Sequence, residues 1–151
     1  MVAGPGAKAL AEELADDAEH WRAAYDRWLS AGRARDRKVK EAERRLVAAT
    51  GGLGLAHWEA ACRRRRLVTV DDARLRARAV RARPAVESAL CVREAVVVEQ
   101  AVAVFAARSE LAQASRQMAR YGVVGAMALG LSVGQLRRLA AGPPDPTTRA
   151  I

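Results

Sequence analysis

The sequence predicts an all-α fold, a helical bundle organised on one long central helix. Three observations carry this. Apolar residues recur at steps of three and four along most of the chain, the period of a helix face. Ala and Arg supply 35 and 23 of the 151 residues, and both are strong helix formers. Turn-rich stretches of alternating apolar and polar residues, the mark of strands, are missing. Only six residues are aromatic, so the core must be built from Ala, Val and Leu, which suits close helix–helix packing. The length is enough for one domain, or for a small domain plus a helical arm.

Taken in order, residues 1–6 hold two Gly and a Pro and are expected to be disordered. From Ala7 a helix carries Leu10, Leu14, Ala18, Trp21, Tyr25 and Trp28 at steps of four, four, three, four and three, one stripe of its surface. Glu12, Glu13, Asp16, Asp17 and Glu19 lie early in it, the favourable end for negative charge. The Trp21–Tyr25–Trp28 stripe reads either as a partner-binding face, since aromatics are enriched at interfaces, or as a seam packed on later helices. Ser30-Ala31-Gly32 is expected to loosen or end the helix, and residues 33–49 to resume it with Val39, Ala42, Leu46 and Ala49 inward. Thr50-Gly51-Gly52-Leu53-Gly54 is the clearest break. No GK[ST] comes after this Gly-rich stretch and no strand precedes it, so it reads as a turn rather than a phosphate loop.

A short helix over residues 57–66 contains Trp58 and ends in Arg63-Arg64-Arg65-Arg66, and the extended link Leu67-Val68-Thr69-Val70 comes next. Thr69 with Asp72 three on fits a capping box for a helix over 71–83, which has Arg74, Arg78 and Arg81 on one face. Pro84 opens the longest helical pattern, residues 84–120. It is apolar nearly all round, with Val97, Val104 and Phe105 among its members, and such a helix is covered by others or by a second subunit. Val97 and Val104 join Trp21, Tyr25 and Trp28 as the expected oligomer interface. The domain reading is an arm and basic segment over 1–83, the central helix with the C-terminal helical segment over 84–142, and a disordered tail over 143–151.

The formal charge is +9, which raises the odds of a polyanionic partner, because Arg pairs with phosphate through two hydrogen bonds. A GC-rich coding sequence also produces an Ala- and Arg-rich chain, so placement says more than the total. Residues 1–30 carry net −3, residues 31–83 net +10 and residues 84–151 net +2. Cys62 and Cys91 form no CxxC and sit in apolar helical contexts, which suits buried thiols in a reducing compartment. No signal peptide is visible, and the longest uncharged apolar run falls short of a membrane span. A cytoplasmic, non-membrane protein is expected. His20 and His57 have no partner pattern, and no nucleophile, dinucleotide or zinc motif appears. No enzyme activity, cofactor or metal is expected.

Tyr121–Gly142 reads as a helix, a turn and a second helix. Ala126 gives a small residue where two helices cross, and Gly130 can take a left-handed turn conformation. Leu129, Leu131, Leu136 and Leu139 can seal the two helices, and Ser132 with Gln135 forms an S-x-x-Q capping box. Over about 20 residues, an eighth of the chain, this resembles the helix-turn-helix unit of DNA-binding regulators. The resemblance completes the fold as a bundle with a C-terminal helix-turn-helix-like unit. It implies that the helix from Ser132 enters the major groove of double-stranded DNA with Val133, Gly134, Arg137 and Arg138 facing the duplex. Arg137 or Arg138 would read guanine, with Ser132 and Gln135 at backbone or base edges. The basic segment 33–83, with Arg63, Arg64, Arg65 and Arg66, would add phosphate contacts. Val133 and Gly134 offer no hydrogen bonds to bases, so direct readout would be thin. The same residues also fit a helical hairpin in the core. Two functions therefore stand: a small, dimeric, DNA-binding regulator of transcription, replication or packaging, or a helical scaffold or adaptor that self-associates through residues 84–107 and the Trp stripe.

Overall fold

The computed structural model describes residues 4–146. Six helices run in order, α1 (Pro5–Ala49), α2 (Leu55–Arg63), α3 (Val70–Arg81), α4 (Arg83–Ala119), α5 (Val123–Ala128) and α6 (Val133–Ala141). Among the described residues there is no strand, and the all-α class is established. The chain divides into two compact units. One joins the stretch up to Ala34 with the stretch from Ala101 onward; the other holds Arg35–Gln100. This division differs from the expected one at residue 83. The helices α1 and α4 each run through both units, so the division cannot track the breaks in composition.

In the first unit, Ala18, Trp21, Ala24 and Trp28 of α1 pack with Ala107, Leu111, Ala114 and Met118 of α4. The helices run antiparallel: Trp21 Nε1 donates to Ser115 Oγ at 2.9 Å, and Arg27, two turns on, pairs with Glu110. Small Ala side chains on both helices let the two indoles fill the gap between them. Trp21 and Trp28 are 6% and 7% exposed and Val104 is 5%. These three are core residues of the chain itself, a correction to the expected oligomer interface. A Trp buries its large apolar surface wherever the first complementary face is offered, and here α4 offers it. Tyr25 is half-buried, stacked on Trp21 at 5.1 Å between ring centroids; Val97 alone of the five remains exposed.

Ser30-Ala31-Gly32 does not end the helix. One Gly costs about 1 kcal/mol in a helix interior, which strong helix formers on both sides outweigh. The glycine has a separate use: a Cβ on Gly32 would lie 2.9 Å from Pro146 Cβ. Pro143 is buried as well, so the described start of the expected tail, 143–146, packs onto the fold; residues 147–151 lie outside the described residues. At the other end, Gly6 is helical rather than disordered, because Pro5 opens α1 where its missing N–H is no loss.

The second unit packs Leu46 of α1, Trp58 and Ala61 of α2, Ala79 of α3 and Val86 of α4 into one cluster. Trp58 Nε1 donates to the Ala79 carbonyl at 2.8 Å, tying α2 to α3. The end of α1 is a Schellman turn: Gly52 N–H donates to Val47 O and Gly51 N–H to Ala48 O, with Gly51 at φ +71°. Thr50 is buried; its hydroxyl donates to Val47 O and accepts from Gly54 N–H. These bonds hold the N–H groups of Gly51, Gly52 and Gly54 within the turn. The Thr69–Asp72 capping box forms as the sequence predicts, opening α3 at Val70. Helix α2 stops at Arg63, three residues short of the expected end, which leaves Arg64, Arg65 and Arg66 in the link. Among the described residues, no helix is long and apolar enough to cross a membrane.

Candidate nucleic-acid interface

The C-terminal element is built from the turn outward. Gly130 N–H donates to Met127 O and Leu131 N–H to Ala126 O, a Schellman closure of α5 with Gly130 at φ +69°. Ala126, 1% exposed, fills the crossing point, and Leu136, also 1%, anchors α6. Leu129, Leu131 and Leu139 pack around them. Buried Gly125 is also required: a Cβ there would collide with the Met118 carbonyl and approach Tyr121 Cβ to 3.0 Å. Ser132 Oγ accepts from Gln135 N–H at 3.1 Å, and Gln135 Oε1 accepts from Ser132 N–H at 2.9 Å, completing the capping box of α6. Arginines from α1 and α4 tie down both short helices: Arg22 donates to the Ala128 carbonyl at 2.8 Å and Arg116 to the Ala140 carbonyl at 3.0 Å. Each satisfies a carbonyl that a helix C-terminus leaves open. Nothing local in the sequence signals these two contacts, since the partners are separated by 106 and 24 residues.

The residues assigned to DNA separate into two groups. Val133 is half-buried and packs against the core, so it does not face outward as expected. Its place one residue after the cap puts it on the same side of α6 as Leu136. Gly134, Ser132, Gln135, Arg137 and Arg138 are exposed. Ser132 and Gln135 are engaged with each other, which limits what they can offer a base. Arg138 Nε leans back to the Gly134 carbonyl at 3.4 Å. Arg137 makes no hydrogen bond or ion pair with any described residue. The outward chemistry of α6 is thus two adjacent guanidinium groups beside a bare backbone.

Tyr121 closes the unit from behind. Its hydroxyl donates to Asp17 Oδ2 at 2.7 Å. That bond, with some burial and the nearby carboxylate charge, pushes the phenol pKa from 10.0 up to about 12.

The second unit, considered by itself, carries 16 basic and nine acidic residues, net +7 of the total +9. Arg63, Arg64, Arg65 and Arg66 are all exposed. Arg64, however, pairs with Asp72 at 2.8 Å and braces the link to α3 rather than standing free for phosphate. A second cationic feature of this unit lies within the basic segment 33–83, although the sequence did not show that it borders a groove. Arg37, Lys38, Arg44 and Arg45 of α1 line a groove of about 370 Å³ with Val92 and Val96 of α4. Steps of seven (37 to 44, 38 to 45) put these cations on one helix face, a signal that was present in the sequence. Glu41 sits among them, 3.5 Å from Arg44 and 3.3 Å from Arg45, and offsets part of the charge.

No group of three or more His, Cys, Asp or Glu among the described residues is placed to hold a metal. Cys62 is half-buried, but Cys91 is exposed on α4, contrary to the expected burial of both. Compared with protein-family models, curated proteins and solved structures, the chain matches none.

Proposed function

We propose that the protein binds double-stranded DNA, as a small regulator of transcription, replication or packaging, and acts by binding rather than by catalysis. The observation that carries this reading is the pairing of Arg137 and Arg138 on the exposed face of α6, a helix whose start is capped by Ser132 and whose end is held by Arg116. A rigid helix with guanidinium groups outward suits the major groove, where Arg meets guanine O6 and N7. The net +7 of the second unit supports a large non-specific share of affinity, since phosphate neutralisation releases counterions whatever the sequence. With Val133 turned inward and Ser132 and Gln135 bonded to each other, sequence discrimination is expected to be limited. Such a protein works as a homodimer in the cytoplasm, where Cys62 and Cys91 stay reduced.

The test is a gel shift against random duplex pools at near-physiological salt. Replacing both arginines, Arg137→Ala with Arg138→Ala, should weaken duplex binding by about tenfold or more, at roughly 1–3 kcal/mol per base-reading Arg, and leave the helical circular-dichroism signal intact. Unchanged affinity in the folded double variant would sink the reading. A second reading, a self-associating scaffold without sequence-specific nucleic-acid binding, is favoured by a different observation: Val98, Val102 and Phe105 are 64%, 64% and 61% exposed on α4.

A further inference from the structure

The helix α4 has two apolar faces, and only one is used by the chain. The inward face carries Val86, Gln100, Val104, Ala107 and Leu111, all buried. The outward face carries Cys91, Ala95, Val98, Val102 and Phe105, all exposed, at steps of four, three, four and three. That spacing is the a/d seam of a two-helix coiled coil. Contiguous apolar stripes of this kind mark interaction sites.

We infer that this stripe pairs with the same stripe of a second copy of the chain, with the two α4 helices antiparallel. Charge and side-chain size both select this arrangement. Centring the pair between Val98 and Val102 sets Val98 against Val102 of the second copy, and small Ala95 against large Phe105. A parallel pair would stack Phe105 on Phe105 and leave Ala95 facing Ala95, overfull in one layer and empty in the next. On the flank of the stripe, Glu94 and Arg108 lie seven residues either side of Ala101. Antiparallel pairing brings each Glu94 to Arg108 of the second copy, two unlike pairs. On the opposite flank it creates one like-charge contact, Glu99 with Glu99, beside a groove that holds the chain's own Arg37, Lys38 and Arg45. Parallel pairing would set Glu94 beside Glu99 twice, with no unlike pair. Arg108, 5.4 Å over the Phe105 ring, is already held at the edge of the seam.

This deepens the self-association part of the proposed function and does not depend on DNA binding, which is assigned to α6. The seam contains its own reporter. Cys91 occupies one of its positions, and in the antiparallel pair it faces Ser109 of the second copy. The two Cys91 residues then lie about 27 Å apart along the axis, at 1.5 Å per residue, well beyond disulfide reach. The experiment is mild oxidation of the full chain carrying Cys62→Ser, with and without Ser109→Cys. The expected result is no covalent dimer with Cys91 alone and a doubly cross-linked dimer once Ser109→Cys is added. Sedimentation equilibrium supplies a second arm. Glu94→Arg or Arg108→Glu alone should weaken the dimer about tenfold by turning two attractions into repulsions, and the combined swap should restore it. Efficient Cys91–Cys91 cross-linking without Ser109→Cys would show a parallel pair and overturn the proposal. So would a chain that stays monomeric, whether or not it still binds duplex DNA.

Discussion

At the scale of single residues, two of the hydrogen bonds that join α1 to its neighbours give direct tests. Trp21 Nε1 and Ser115 Oγ satisfy each other inside the first unit, 6% and 0% exposed. Removing one partner strands the other. Trp21→Phe or Ser115→Ala should therefore each lower unfolding free energy by about 1–3 kcal/mol, read as a lower midpoint in urea with an unchanged slope. Tyr121 and Asp17 make the second bond, and it couples to pH. The folded-state phenol pKa is raised from 10.0 to about 12, so the folded chain holds this proton more tightly than the unfolded one. Its stabilising contribution is complete below pH 10 and is lost as pH rises through about 12. Alkaline titration followed by tyrosinate absorbance should show this late transition, and Asp17→Asn should move it back toward 10.0. A Tyr121 transition unaffected by Asp17→Asn would contradict the assignment.

At the scale of elements, the helix termini rest on a few identifiable residues. Gly130 at φ +69° closes α5 and the Ser132–Gln135 box opens α6. Gly130→Ala should cost about 1 kcal/mol or more from the left-handed backbone, and Ser132→Ala about 1 kcal/mol from the lost cap. Thermal melts of the two variants test this, and a melting temperature unchanged in both would refute it. These elements were legible in the sequence because their signals are local: the S-x-x-Q box, the Thr69–Asp72 box, and a glycine where a left-handed residue is needed. The seam of α1 was legible for the same reason, since Ala18, Trp21, Tyr25 and Trp28 keep the helical step. What was not legible depends on distant partners. Ser30-Ala31-Gly32 looked like a break because a glycine in a sequence does not reveal the proline, 114 positions later, that requires it. The inward turn of Val133 and the Arg22 and Arg116 caps likewise depend on where α1 and α4 lie. Whether an aromatic stripe faces its own chain or a partner is a question of what covers it, and the spacing of Trp21 and Trp28 could not answer that.

At the scale of the whole molecule, the sequence showed where the charge lies but not how the units divide. The excess between residues 31 and 83 became the net +7 of the second unit, while the first unit carries net +2 and presents α6. Two consequences separate experimentally. Changes in the exposed run at Arg63, Arg65 and Arg66 should weaken binding to all duplexes alike and flatten its salt dependence, whereas changes at Arg137 should alter any preference among sequences. The most direct measurement of DNA binding itself is duplex affinity of the intact chain across a salt series. Affinity should fall linearly on a log–log plot, by about 10³-fold or more between 50 and 200 mM salt if six or more phosphates are neutralised. No measurable duplex binding at the low-salt end would contradict double-stranded DNA as the partner.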